Sequence, residues 1–193
     1  MHISSQVGRY YIEVMIVIDI VVIDDDNKLY SYIATGLQKS FYVRRFTSRG
    51  LWASGEGKPI NIILVEDVDK MTFENGIVVL GGISDYKRIR HQNFSYVIAN
   101  SESDIQMDSL LCCSLPVITC GCSAMDTFSY TSLTDDFLTV SLNRKLTSLS
   151  GKEVQPFEIP RPIFEGESVY GVMTLVAVSL LLDDNSEFGK MYS

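Results

Sequence analysis

The sequence predicts an α/β fold in three layers, with a mixed sheet: buried parallel core strands in the middle and an antiparallel meander in the C-terminal half. Three observations predict it. Four short, nearly continuous apolar runs fall between residues 60 and 120, the last three closed by Gly or Asn, as expected of strands buried on both faces. Beyond residue 127 apolar and polar residues alternate, the period of antiparallel strands with one solvated face. Residues 168–182 are apolar around most of a helical circumference, which places a final helix in the interior.

Taken in order, the elements are as follows. Residues 10–24 are dense in Ile and Val, which suits a strand, although their length suits a helix equally. Asp24, Asp25, Asp26 and Asn27 punctuate that run as a solvated turn; no spaced calcium-loop pattern follows them. Residues 29–43 read as a helix interrupted at Gly36, and residues 47–59 as a loop rich in Gly and Ser. Residues 60–65, 76–80, 94–99 and 116–120 are the four core strands. A short helix lies at residues 102–113, with Ser101 or Ser103 as its N-cap. Segments 127–134, 137–149 and 153–159 form the meander, with turns at Asp135-Asp136 and Ser150-Gly151-Lys152. After Pro160 and Pro162 comes the last helix, and the polar tail 183–193 is expected to fray.

The 193 residues are read as a single α/β domain, in which residues 1–59 are poorly assigned and residues 60–182 carry the clear pattern. With 46% hydrophobic and 21% charged residues, the composition is globular. A formal net charge of −8 argues against nucleic acid as a partner, since that binding rests on clustered Lys and Arg releasing counterions from phosphates. The two small basic groups, Arg44/Arg45/Arg49 and Lys87/Arg88/Arg90, read as solvated loop charge. No segment has the form of a signal peptide, and neither apolar run (14–23 or 169–182) reaches the roughly 20 residues of a membrane helix. A cytoplasmic protein without membrane contact is expected.

The four cysteines, Cys112, Cys113, Cys120 and Cys122, lack the paired spacing and nearby histidine of a zinc site, and they read as reduced structural thiols. Residues 120 and 122 would share a face if the strand continued through them. A nucleophilic triad has no support either: the only histidines are His2 and His91, and no G-x-S-x-G elbow exists. The acidic pairs lie at turns, which gives glycosidase-type chemistry little weight. Gly81-Gly82-Ile83-Ser84, with Lys87 and Arg88 close by, is the best small-ligand hint, since backbone N–H groups after a strand can face an anion. The same glycines equally make an ordinary turn.

Residues 97–182 resemble the second half of the central ATP-binding domain of the Mur ligases, enzymes that add amino acids to peptidoglycan precursors. The residues that carry the resemblance are Val97-Ile98-Ala99-Asn100-Ser101-Glu102-Ser103-Asp104, the strand Leu115-Pro116-Val117-Ile118-Thr119-Cys120-Gly121, the antiparallel segment after it, and the apolar helix at 169–182. The chain is also similar to short uncharacterised Mur ligase-like proteins of anaerobic Firmicutes. The resemblance implies a place near a nucleotide base for Asn100; the alternative is that Asn100 caps the following helix.

What the resemblance requires for ATP chemistry is missing. A phosphate loop of the form G-x4-G-K-[ST] offers backbone amides, an ammonium and a hydroxyl. At the only comparable site, Gly57-Lys58, Trp52 stands where the first Gly belongs and Pro59 where the hydroxyl belongs. Nor is there length for the family's amino-acid-binding C-terminal domain. The expectation is therefore a non-catalytic Mur ligase-like domain acting as a binding or assembly module, without cofactor or metal. Its partner would be another protein or a second copy of itself, as the tyrosines Tyr10, Tyr11, Tyr30 and Tyr32 suggest. The alternative is an enzyme or enzyme subunit that holds a small anionic, nucleotide-like ligand at the strand C-termini through Gly81, Gly82, Ser84, Lys87 and Asn100.

Overall fold

The computed structural model describes residues 17–65, 76–82, 94–111 and 113–184. Their elements run β1 (Ile18–Ile23), α1 (Lys28–Leu37), β2 (Phe41–Thr47), β3 (Gly50–Ser54), β4 (Lys58–Val65), β5 (Gly76–Leu80), β6 (Tyr96–Asn100), α2 (Asp104–Leu110), β7 (Val117–Gly121), β8 (Phe128–Leu133), β9 (Phe137–Leu142), β10 (Leu146–Thr147), β11 (Glu153–Val154), β12 (Phe157–Pro162) and α3 (Val169–Leu181).

Ten strands form one sheet in the order β12-β9-β8-β7-β6-β5-β1-β4-β2-β3. From β8 to β2 every neighbouring pair is parallel, while β9, β12 and β3 add on antiparallel. The expected mixed sheet is present, and its central strands β1, β5 and β6 are mostly apolar because both faces are covered. Ile20, Val22, Ile60, Ile62, Ile77, Val79 and Ile98 pack with residues of α1 and α3 on one face. Val21, Ile23, Val78, Leu80, Val97 and Ala99 pack with Leu110 of α2 and Phe94 on the other. Alternate residues thus enter opposite cores, which is why these runs show no polar alternation. Helix α3 lies beside α1 on the first face, α3 over β6, β7 and β8 and α1 over β2 and β4, and α3 is buried all round from Gly171 to Leu181. Gly36 lies inside α1 rather than interrupting it; a Cβ there would run into the Leu175 side chain, so its bareness lets α1 close on α3.

Several boundaries differ from the sequence expectation. Residues 18–23 are a strand, and residues 41–43, expected at the end of a helix, open β2. The chain from 47 to 59 holds β3 and the start of β4 instead of a loop, and both pair into the main sheet. Alternation was too short there to register, and Gly50, Gly55 and Gly57 suggested a loop where they only bound a hairpin strand. The segment 153–159 is split: β11 pairs with β10 as a separate ribbon, and β12 continues through Pro160 and Pro162. Those prolines are tolerated because β12 is a sheet edge, where a missing N–H costs no ladder bond. Among the described residues no helix is long and apolar enough to cross a membrane.

Candidate functional site

Strand order reverses around β1: the chain leaves β1 through α1 toward β2 on one side, while β5 lies on the other. In open α/β sheets ligands collect at such a reversal, beyond the strands' C-terminal ends. A cavity of about 570 Å³ opens there, lined by Asp24, Asp25, Asp26, Lys28, Leu29 and Tyr32 from the β1–α1 turn and α1, Gly81 and Gly82 from the end of β5, and residues 166–168, Tyr170 and Gly171 at the start of α3.

The turn is built around Asp24, which is only 3% exposed. Its Oδ2 accepts from the backbone N–H groups of Leu29 (3.1 Å) and Tyr30 (3.4 Å) in the first turn of α1, and its Oδ1 accepts from the N–H of Gly82 (3.2 Å). One carboxylate therefore satisfies amides at a helix start and at a neighbouring strand end, the groups that would otherwise meet an external anion. The turn is not wholly solvated, as expected from its acidity; Asp25 and Asp26 are exposed but Asp24 is interior. A Cβ at Gly82 would meet the exposed Asp25 carboxylate, which would have to turn aside. Asn27, in the left-handed region at φ 61, completes the turn.

The lining is strongly negative. Carboxylate oxygens of Asp24, Asp25 and Asp26 lie within 4.8 Å of one another, and Glu167 adds a fourth acid. Lys28 is the single cation among the described lining residues, and it pairs with Asp26 at 2.9 Å on the exposed rim. Hydrogen bonding to Lys28 holds the Asp26 carboxyl below the usual carboxylate range, and Asp26 in turn raises the Lys28 ammonium. The start of α3 is likewise satisfied from within: the Ser168 hydroxyl accepts from the N–H of Gly171, and the Tyr170 hydroxyl donates to the carbonyl of Leu80 at 2.7 Å.

Of the residues singled out from sequence, Gly81 and Gly82 line this cavity. Ser84, Lys87 and the basic group Lys87/Arg88/Arg90 lie outside the described residues, as do His2, His91, Tyr10 and Tyr11. Asn100 ends β6 on the same edge of the sheet but is not part of the lining. Its Oδ1 accepts from the N–H of Glu102 at 3.0 Å, while Ser103 caps α2. Asn100 thus shapes the turn before the cap rather than capping the helix.

The link between the two strand ends is Gln106, which sequence reasoning missed. Its side chain, 4% exposed, accepts from the N–H of Asn100 at 2.7 Å and donates to the carbonyl of Gly81 at 2.9 Å. Asp24 was passed over as one of three like neighbours, although its place at the strand's last position was the available signal. Gly57-Lys58 leads into β4 at the opposite end of the sheet from this cavity, so it is misplaced for a phosphate loop as well as misspelled.

Among the described residues the cysteines form no disulfide. Cys120 is fully buried, where desolvation drives its thiol far above the ordinary range, while Cys122 lies beyond the end of β7 and is exposed. A hydrogen bond with Glu102 is the main cause raising the Cys122 thiol.

No protein-family model and no curated protein matches the sequence. Solved structures do match the fold. The UDP-N-acetylmuramate:L-alanyl-gamma-D-glutamyl-meso-diaminopimelate ligase from Neisseria meningitides aligns with a TM-score of 0.57 at 11% identity, over 86% of this chain and 61% of that one. The MurF ligase from Thermotoga maritima, solved in complex with ADP, aligns with a TM-score of 0.52 at 9% identity, over 87% of this chain and 46% of that one. The chain spans less than two thirds of the length of either. Coverage of this breadth takes in residues before 97, so the likeness extends beyond the stretch that suggested it from sequence. The chain has a Mur ligase-like α/β fold.

Proposed function

We propose that this chain is a non-catalytic Mur ligase-like domain serving as a binding or assembly module, in which the place for triphosphate handling has been given over to structure. The observation that carries the reading is Asp24. At the strand–turn–helix junction beside the reversal of strand order, where phosphate loops are built, its carboxylate takes the amides of Leu29, Tyr30 and Gly82. A phosphate entering there would have to displace a buried carboxylate and then face Asp25, Asp26 and Glu167 across a short distance. Like charges this close repel strongly in a partly desolvated site.

The rival reading, a small anionic ligand held through Gly81, Gly82, Ser84, Lys87 and Asn100 in an enzyme or enzyme subunit, draws support from Gly81 and Gly82 lining the cavity. The sign of the lining weighs against it, as does the engagement of Asn100 with Glu102. Isothermal titration with MgATP, followed by an assay for released phosphate, separates the two. Our reading expects neither heat of binding nor turnover; saturable magnesium-dependent binding accompanied by turnover would overthrow it.

A further inference from the structure

The two edges of the ten-stranded sheet are unlike. Edge β12 carries Pro160 and Pro162, which lack the N–H groups a further strand would need. Edge β3, Gly-Leu-Trp-Ala-Ser, contains neither proline nor a charged residue, and no described strand pairs with its outer side. Leu51 and Trp52 on it are 60% and 53% exposed. The hairpin that presents this edge is held in place: Gln38, after α1, accepts from both the Arg45 guanidinium and the Ser54 hydroxyl at 3.0 Å. A rigid, open, apolar edge loses little order when a strand joins it.

The charges around β3 indicate what joins. Arg49 immediately precedes the strand and Glu56 follows it by two residues; both are exposed. Antiparallel pairing of β3 with β3 of a second copy about a two-fold axis at Trp52 sets residue i opposite residue 104 − i, so Leu51 faces Ala53 and Trp52 faces its own equivalent. The same register carries Arg49 of each copy to the end where Glu56 of the other lies. Basic lead, apolar middle and acidic exit make the segment self-complementary in the antiparallel sense only, which is the pattern an isologous interface requires.

We infer that β3 is a self-association edge through which two copies join their sheets. A five-residue strand offers few ladder bonds, so the dimer is weak and concentration-dependent. The inference names one partner for the assembly role and is independent of the cavity: a protein that ignores ATP yet stays monomeric would sink this inference alone.

Sedimentation velocity over a wide concentration range tests it, with circular dichroism confirming that each variant folds. The wild type should move from monomer to dimer as concentration rises. Trp52→Lys should raise the dissociation constant about tenfold or more, as loss of a central aromatic anchor does. Arg49→Glu and Glu56→Arg should each weaken the dimer, and the double exchange should restore it. A wild type that is monomeric throughout, a dimer indifferent to Trp52→Lys, or a double exchange no better than the singles would each overturn the proposal. Should Trp52→Lys fail to fold, the charge exchange decides alone.

Discussion

At the scale of single residues, the structure turns on side chains whose polar atoms are spent internally. Truncating Asp24 removes the carboxylate that accepts from the amides of Leu29, Tyr30 and Gly82, so Asp24→Ala should lower unfolding free energy by about 2 kcal/mol in urea titration; a change near zero would mean that water replaces the carboxylate at no cost. The cysteines divide by environment. Alkylation of the native protein followed by peptide mapping should label Cys122 and spare Cys120 until the chain unfolds. Because Glu102 raises the Cys122 thiol, Glu102→Gln should lower it and speed labelling at a fixed mildly alkaline pH. Burial also raises Cys120 and Tyr30, with Arg45 opposing only the latter. Folded pKa values above the unfolded ones mean that the native state holds these protons while the unfolded chain releases them. The associated stability is intact below about pH 8.5, the ordinary thiol range, and declines as pH rises further. Denaturation midpoints measured from pH 7 to 10 should fall across that window. None of this was legible from residue identity. Asp24 and Asp25 are the same letter, and only the position of the strand end tells the buried one from the exposed one.

At the scale of elements, legibility followed burial on two faces. The runs that became β4 to β7 stand out because their apolar residues enter two cores in turn, whereas β2 and β3, more exposed and with glycines nearby, resembled a helix end and a loop. The acidic turn was recognised, but its relation to Gly82 was not, because β1 and β5 are neighbours only through a sheet order that no local pattern encodes. Gln106 shows the same limit: a polar residue in a short helix, it joins the ends of β5 and β6. Gln106→Leu keeps the volume and removes the bonds to the Asn100 N–H and the Gly81 carbonyl. The expected loss is roughly 1–3 kcal/mol by chemical denaturation, against near neutrality if the link is idle. Where α1 meets α3, Gly36→Ala presses a methyl group on Leu175, and overpacking of this kind should cost about 1 kcal/mol.

At the scale of the whole molecule, a Mur ligase-like fold carries an acidic junction at its reversal point. A fold of this kind does not specify an activity; the site does. Here the site is a cavity with four carboxylates around a helix start whose amides are already engaged. The sequence departs from a phosphate loop at Gly57-Lys58, where Trp52 and Pro59 replace the glycine and the hydroxyl. What it did not reveal is that its acidic turn, residues 24–27, sits at the reversal of strand order. The most direct test follows the backbone amides of Leu29, Tyr30 and Gly82 by nuclear magnetic resonance as MgATP is added to millimolar excess. If Asp24 keeps those amides, their resonances stay where they are; a saturable, joint displacement of all three would show phosphate taking the carboxylate's place and would contradict the account.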